Sequence, residues 1–184
     1  MRYSLFAIRY SATGVLMSGF FALMLASTAE AQGLWDLSVA GGASLPTGRF
    51  ADAANTGWHA TASIGLSTLM QPIGLRLDAA HTRFTAKATG PDQAVTSATL
   101  NATYRLPMTN SPLSPYVIGG AGAYRFECSG EVSCGSTTHF GWNAGLGTKF
   151  AAFRMKGFLE SRFHAVIASS GTVRFVPLTL GLTF

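Results

Sequence analysis

The residues suited to chemistry are few. Two short motifs, Arg76-x-Asp78 and Glu160-x-Arg162, each set a cation and an anion two positions apart. In a strand both members of such a pair face the same side. Arg105 and Lys149 are further charges in stretches of small and apolar residues. Paired, this set makes a buried ion network that fills an interior; left open, it lines a narrow ion path. An unpaired buried charge is very costly, so pairing is expected either way. The four histidines are His59, His81, His139 and His164. They stand in no Ser-His-acid spacing, so nucleophilic catalysis is not indicated. Cys128 and Cys134 lie six apart in a Gly/Ser-rich segment. Two thiols without a nearby histidine pair do not make a zinc site. A loop-clipping disulfide is expected instead, with no metal and no cofactor.

The elements that position these groups read as strands. Eight segments alternate at period two, separated by turn-like residues. The first, Leu34 to Ser44, sets Trp35, Leu37 and Val39 against Asp36, Ser38 and Ala40. The second, Gly57 to Thr68, sets Trp58, Ala60, Ala62, Ile64 and Leu66 against His59, Thr61 and Ser63. The third, Ile73 to Phe84, sets Ile73, Leu75, Leu77 and Ala79 against Arg76, Asp78, Ala80 and Thr82. The fourth, Val95 to Leu106, sets Leu100 and Tyr104 against Thr99, Asn101 and Arg105. The fifth, Pro115 to Phe126, is Gly-rich; it is read with Tyr116, Ile118 and Tyr124 on the apolar face and Val117, Ala121 and Arg125 on the other. The sixth, Thr138 to Phe150, sets Phe140, Trp142, Leu146 and Phe150 against His139, Asn143 and Lys149. The seventh, Met155 to Ala168, sets Met155, Leu159, Phe163 and Ile167 against Lys156, Glu160, Arg162 and His164. The eighth, Val173 to Phe184, sets Val176, Leu178, Leu180, Leu182 and Phe184 against Pro177, Thr179, Gly181 and Thr183.

Met1 to Ala31 reads as a secretory signal peptide, with Arg2 and Arg9 in the n-region, apolar Val15 to Ala26, and Ala29-Glu30-Ala31 at the cleavage site. Removing 31 residues from 184 leaves 153, enough for one domain, 32–184. Only 11% of the chain is charged and 48% is hydrophobic, against the usual quarter charged. The formal net charge of +5 is dispersed, with no Lys/Arg cluster, so nucleic acid is not an expected partner. No later stretch offers 18 uncharged apolar residues, because Arg or Asp interrupts each one. If the mature chain spans a membrane, it must do so as a closed barrel.

Three further patterns support that architecture. The first, third and fifth connections are 12, 10 and 11 residues long, while the second, fourth and sixth are 4, 8 and 4; the seventh, on the long side, breaks the pattern at 4. Membrane barrels have short turns on one side and long loops on the other. Aromatic residues gather at both ends of the apolar face: Trp35, Tyr104, Tyr116, Phe150 and Phe184 at one, and Trp58, Tyr124, Phe140 and Trp142 at the other. Two such girdles suit the two membrane interfaces. The charges lie on the opposite face, whereas a soluble barrel reverses this arrangement.

Together these features resemble the small eight-stranded outer-membrane barrels of the outer-membrane protein A and X type. The alternation Val176, Leu178, Leu180, Leu182, Phe184 resembles their C-terminal signal. The resemblance implies an all-β fold: an eight-stranded antiparallel up-and-down transmembrane β-barrel preceded by a cleaved signal peptide. It implies Sec-route export to the outer membrane of a Gram-negative-type bacterium, contact with outer-membrane lipids and lipopolysaccharide, insertion by the barrel-assembly machinery, and a monomer. No peptidoglycan-binding domain is expected after Phe184. The expected role is structural or surface-interacting and non-enzymatic, with Arg76, Asp78, Arg105, Lys149, Glu160 and Arg162 plugging the lumen. The alternatives are a lipid A-modifying enzyme and a small channel. A lipid A deacylase of this fold uses a His-x-Ser pair, and neither His164-Ala165-Val166 nor His81-Thr82-Arg83 matches it. A surface ligand would meet the long loops, through Arg49, Asp52, Arg83, Lys87, Asp92, Glu127 or Glu131.

Overall fold

A computed structural model describes residues 35–67, 72–87, 90–108, 111–129, 135–152, 155–169 and 171–184. The predicted signal peptide lies outside them. The strands are β1 (Trp35–Thr47), β2 (Gly57–Ser67), β3 (Ile73–Phe84), β4 (Asp92–Arg105), β5 (Leu113–Ser129), β6 (Thr137–Ala152), β7 (Met155–Ala168) and β8 (Gly171–Thr183). One short helix, α1 (Arg49–Ala53), follows β1. Each strand pairs antiparallel with the next, and β8 closes on β1. The closure extends to the last residue: the Phe184 amide donates to the Leu37 carbonyl at 2.8 Å.

The register fixes the shape. Asp36 pairs with Gly65, and the line of partners runs through Arg76, Asn101, Gly120, Asn143, His164 and Phe175 to Pro46. It returns to β1 ten residues above its start, so the strands are strongly tilted. At about 3.3 Å per residue and roughly 40° of tilt, a 13-residue strand such as β1 rises about 33 Å. That crosses a hydrocarbon core of about 30 Å.

Alternation places the apolar set outside. Leu100 is 59% exposed, Leu146 67% and Leu180 60%. The interior holds Asp78, Asn101, Asn143, Glu160 and Arg162, all buried. A band of exposed leucines this continuous would not persist in water; it fits lipid.

Strand five corrects the expected parity. Tyr116 is 4% exposed and Tyr124 0%, so both leave the aromatic girdles and face the lumen. Ile118 is buried with them, while Val117 and Arg125 are exposed. The reason is room. Tyr116 lies across Gly147 and Tyr124 across Gly141; a Cβ at either glycine would come within 2.8 Å of the ring. The other girdle residues face outward as expected. Phe150 is only half-exposed because its ring covers Gly157 on β7.

The loops are shorter than the sequence suggests. Strands run on beyond the apolar band, leaving 9, 7 and 7 residues between β1 and β2, β3 and β4, and β5 and β6. The expected first loop, Leu45 to Thr56, is instead the end of β1 followed by α1. We call this side the loop end, and the side with Trp35 and Phe184 the turn end.

Candidate functional site

The lumen is built in three levels. At the centre, β3 and β7 face one another. Arg76 Nη2 donates to both Glu160 oxygens at 2.8 and 2.9 Å, and Arg162 Nη1 to Asp78 Oδ2 at 2.7 Å. Along the strands, Arg76 Nε stands 2.9 Å from Asp78 Oδ1, and Arg162 Nε 2.9 Å from Glu160 Oε1. These two are ion-pair contacts too bent for hydrogen bonds. Two cations and two anions thus form a neutral quartet. Tyr116 donates its hydroxyl to Glu160 Oε2 at 2.6 Å. Asn101 Nδ2 donates to Asp78 Oδ2 at 3.0 Å, and Asn143 Nδ2 to Asn101 Oδ1 at 2.8 Å. Buried charges persist when paired and hydrogen-bonded in this way.

Towards the loop end the chemistry changes. Phe50 of α1, Phe84, Val95, Tyr124, Val166 and Phe175 form a buried apolar cluster. Phe50 meets Phe84 edge-on at 5.0 Å, and Phe84 meets Phe175 at 5.6 Å. His164 stacks on Phe175 at 4.9 Å and bonds through Nδ1 to the Tyr124 hydroxyl at 2.9 Å. Over Gly42 of β1, His59 Nε2 pairs with Thr179 Oγ1 at 2.8 Å. Above the cluster, α1 is tied to the β3–β4 loop. The Asn55 amide donates to Thr85 O and the Lys87 amide to Ala53 O, both at 2.8 Å. Lys87 Nζ donates to Ala51 O at 2.6 Å.

At the turn end the lumen opens into a cavity of about 40 Å³ lined by Asp36, Arg76, Arg105, Ser114, Tyr116 and Lys149, with Phe158 beside Arg76.

A family model described as the outer membrane protein beta-barrel domain matches residues 13–152. The chain belongs to that outer-membrane barrel family. No curated protein matches it. Among solved structures it resembles Neisserial surface protein A, at 18% identity and a TM-score of 0.66, over 81% of this chain and 95% of that one. It also resembles the N-terminal β-barrel domain of Pseudomonas aeruginosa OprF, at 18% identity and a TM-score of 0.52, over 83% and 100%. A major outer membrane protein from Thermus thermophilus aligns at 14% identity and a TM-score of 0.54, over 83% and 99%. At these identities the likeness establishes the fold alone; it is the family that makes this an integral barrel of the outer membrane.

Within this outer-membrane barrel, four of the six expected lumen charges come together: Arg76, Asp78, Glu160 and Arg162. Arg105 and Lys149 do not join them. Both lie near strand ends, at the turn-end mouth, and Lys149 Nζ stands 3.6 Å from Asp36 instead. Of the loop residues, Arg49, Asp52 and Lys87 are exposed, while Glu131 lies outside the described residues. Cys128 is the last residue but one of β5; Cys134 lies outside the described residues. The sequence reading missed Tyr116 and Tyr124 as interior groups, and with them the apolar layer. The glycines of β6 were an available signal, since Gly141, Gly145 and Gly147 share the inward parity of Asn143. An interior glycine marks a place where a neighbour's large side chain must fit.

Proposed function

We propose that this outer-membrane barrel is a non-enzymatic structural or surface-interacting protein whose lumen is occluded. The observation that carries the reading is the double filling of the interior: a neutral, hydrogen-bonded quartet at the centre and an aromatic cluster beneath α1. Within the quartet each charge has a partner of opposite sign. The Tyr124–His164 pair sits under Phe175 and Phe84, out of reach of substrate. Purified barrel in planar bilayers is therefore expected to show no discrete conductance steps. Reproducible single-channel openings would support the small-channel alternative instead. A changed lipid A mass profile on deleting the gene would support a lipid-modifying enzyme.

The loop end is proposed to face outward, in contact with lipopolysaccharide. With about 1.25 residues of rise per strand from the stagger, Arg83, Arg125 and Arg174 stand at one height on the outer wall, within roughly half a residue. They crown the aromatic positions Trp58 and Phe140. Arg83 and Arg125 have surface acids nearby, Asp92 at 3.5 Å and Glu127 at 2.8 Å. Such exposed pairs are weak and leave guanidinium donors for lipid phosphates. The outward face at the turn end carries no charge among the described residues. Under the same reading, residues 1–31 direct Sec export, the barrel-assembly machinery reads the strand ending at Phe184, and the barrel works as a monomer in a Gram-negative-type envelope. A surface ligand, if one binds, meets α1 and the short loops around it.

A further inference from the structure

At the turn end, interior charges border an open space. The cavity of about 40 Å³ has room for about three water molecules, or for one small ion. Arg76, Tyr116 and Phe158 form its floor. Arg76 is already matched by Asp78 and Glu160, so the floor adds no net charge. The walls do. Register sets Arg105 opposite Tyr116, and Ser114 opposite Lys149. Arg105, Ser114 and Lys149 therefore occupy three successive strands with inward parity and at nearly one height. Two cations flank a hydroxyl. On the far wall stands a single acid, Asp36, whose carboxylate reaches Lys149 at 3.6 Å, with both side chains part-exposed. That distance is long for an ion pair, and such pairs contribute little. The vestibule thus holds one positive charge in excess beside a hydroxyl donor.

We propose that this vestibule is a binding site for a small oxyanion, of the size and charge of inorganic phosphate. The planar guanidinium of Arg105 offers two parallel donors to two oxygens of the anion. The Lys149 ammonium takes a third, and the Ser114 hydroxyl donates from the strand between them. Asp36 competes with the anion for Lys149. The site opens only to the turn end, because the central quartet lies above it. It goes beyond the structural reading of the barrel and does not depend on whether the lumen conducts.

The competing role of Asp36 gives a test with opposite signs. The folded, full-length barrel in an uncharged detergent is titrated with inorganic phosphate. Binding is read from the side-chain Nε–H signal of Arg105 and the phosphorus line of the ligand. Saturable binding is expected. Arg105→Gln should weaken it roughly fivefold or more, Asp36→Asn should tighten it, and Lys149→Arg should retain it. Folding of each variant is checked by heat-modifiable gel migration, and all three positions border solvent, so folded protein is expected. Shifts that grow linearly without saturating, or an Asp36→Asn variant that binds no more tightly than wild type, would overturn the proposal.

Discussion

Glu160→Gln probes the central quartet directly. Glutamine keeps the shape of glutamate and removes its charge. Glu160 receives Arg76 at 2.8 and 2.9 Å, Tyr116 at 2.6 Å and Arg162 at 2.9 Å. After the change two buried guanidiniums face one carboxylate, and one positive charge is left without a partner. Breaking a buried pair in this way costs about 3–5 kcal/mol. All four side chains are mostly or wholly shielded from solvent, so little of that cost is relieved by water. Adding Arg162→Met removes the surplus cation and leaves Arg76 with Asp78 at 2.9 Å, again neutral. The double variant should therefore lose less than the two single variants together, by about 1–3 kcal/mol of coupling. Urea unfolding of the barrel in lipid vesicles, followed by the migration shift of folded protein, measures all three. Losses that add to within about 0.5 kcal/mol, or a Glu160→Gln variant within about 1 kcal/mol of wild type, would refute a tightly coupled quartet.

Other perturbations test other parts of the barrel. Gly147→Ala puts a Cβ 2.5 Å from Tyr116 Cζ and should cost about 1–3 kcal/mol by overpacking; a neutral effect in the same unfolding assay would show that Tyr116 can move aside. Cys128 and Cys134 are expected to form a disulfide worth about 2–3 kcal/mol by the chain-entropy estimate, and intact mass after alkylation without reductant should show no free thiol. Phe184→Ala removes an interfacial side chain worth roughly 1.5–3 kcal/mol. It should impair assembly in cells more than refolding in detergent, and equal outer-membrane levels at matched expression would count against its being an assembly signal.

Much of the fold was legible because period-two alternation is a direct print of the wall between lipid and lumen. β3 and β7 begin and end at the predicted residues, and seven strands carry the predicted parity. β5 failed for a physical reason. Its middle, Gly119 to Ala123, holds only glycine and alanine, so it has no contrast between faces. Tyrosine then misleads, since its ring suits an interface and its hydroxyl suits a buried acceptor equally well. Loop lengths failed because the strands continue past the lipid band, where Thr137, Glu127 and Asp92 are polar on both faces and alternation no longer shows. The helix α1 spans five residues, too few for a 3.6-residue period to register. The aromatic cluster was therefore invisible in sequence: Phe50 came from an apparent loop, and Tyr124 from the misread strand.

The quartet itself follows from the order of charges in two tripeptides. In an up-and-down barrel all odd-numbered strands run the same way, so β3 and β7 ascend together. Along β3 the cation precedes the anion, Arg76 then Asp78; along β7 the anion precedes the cation, Glu160 then Arg162. Each level of the lumen therefore sets opposite signs across from one another, as the cross-lumen contacts of 2.8 and 2.7 Å record. Exchanging one motif, Arg76→Asp with Asp78→Arg, keeps composition and net charge but sets Asp against Glu and Arg against Arg. Like charges a few ångströms apart in a poorly solvated interior repel strongly, so this variant should fail to refold to the heat-modifiable form. Exchanging the second motif as well, Glu160→Arg with Arg162→Glu, restores opposition at both levels and should recover folded protein. Refolding of the single exchange at wild-type yield, or no recovery in the double exchange, would show that the order of the charges is not what closes the centre of the barrel.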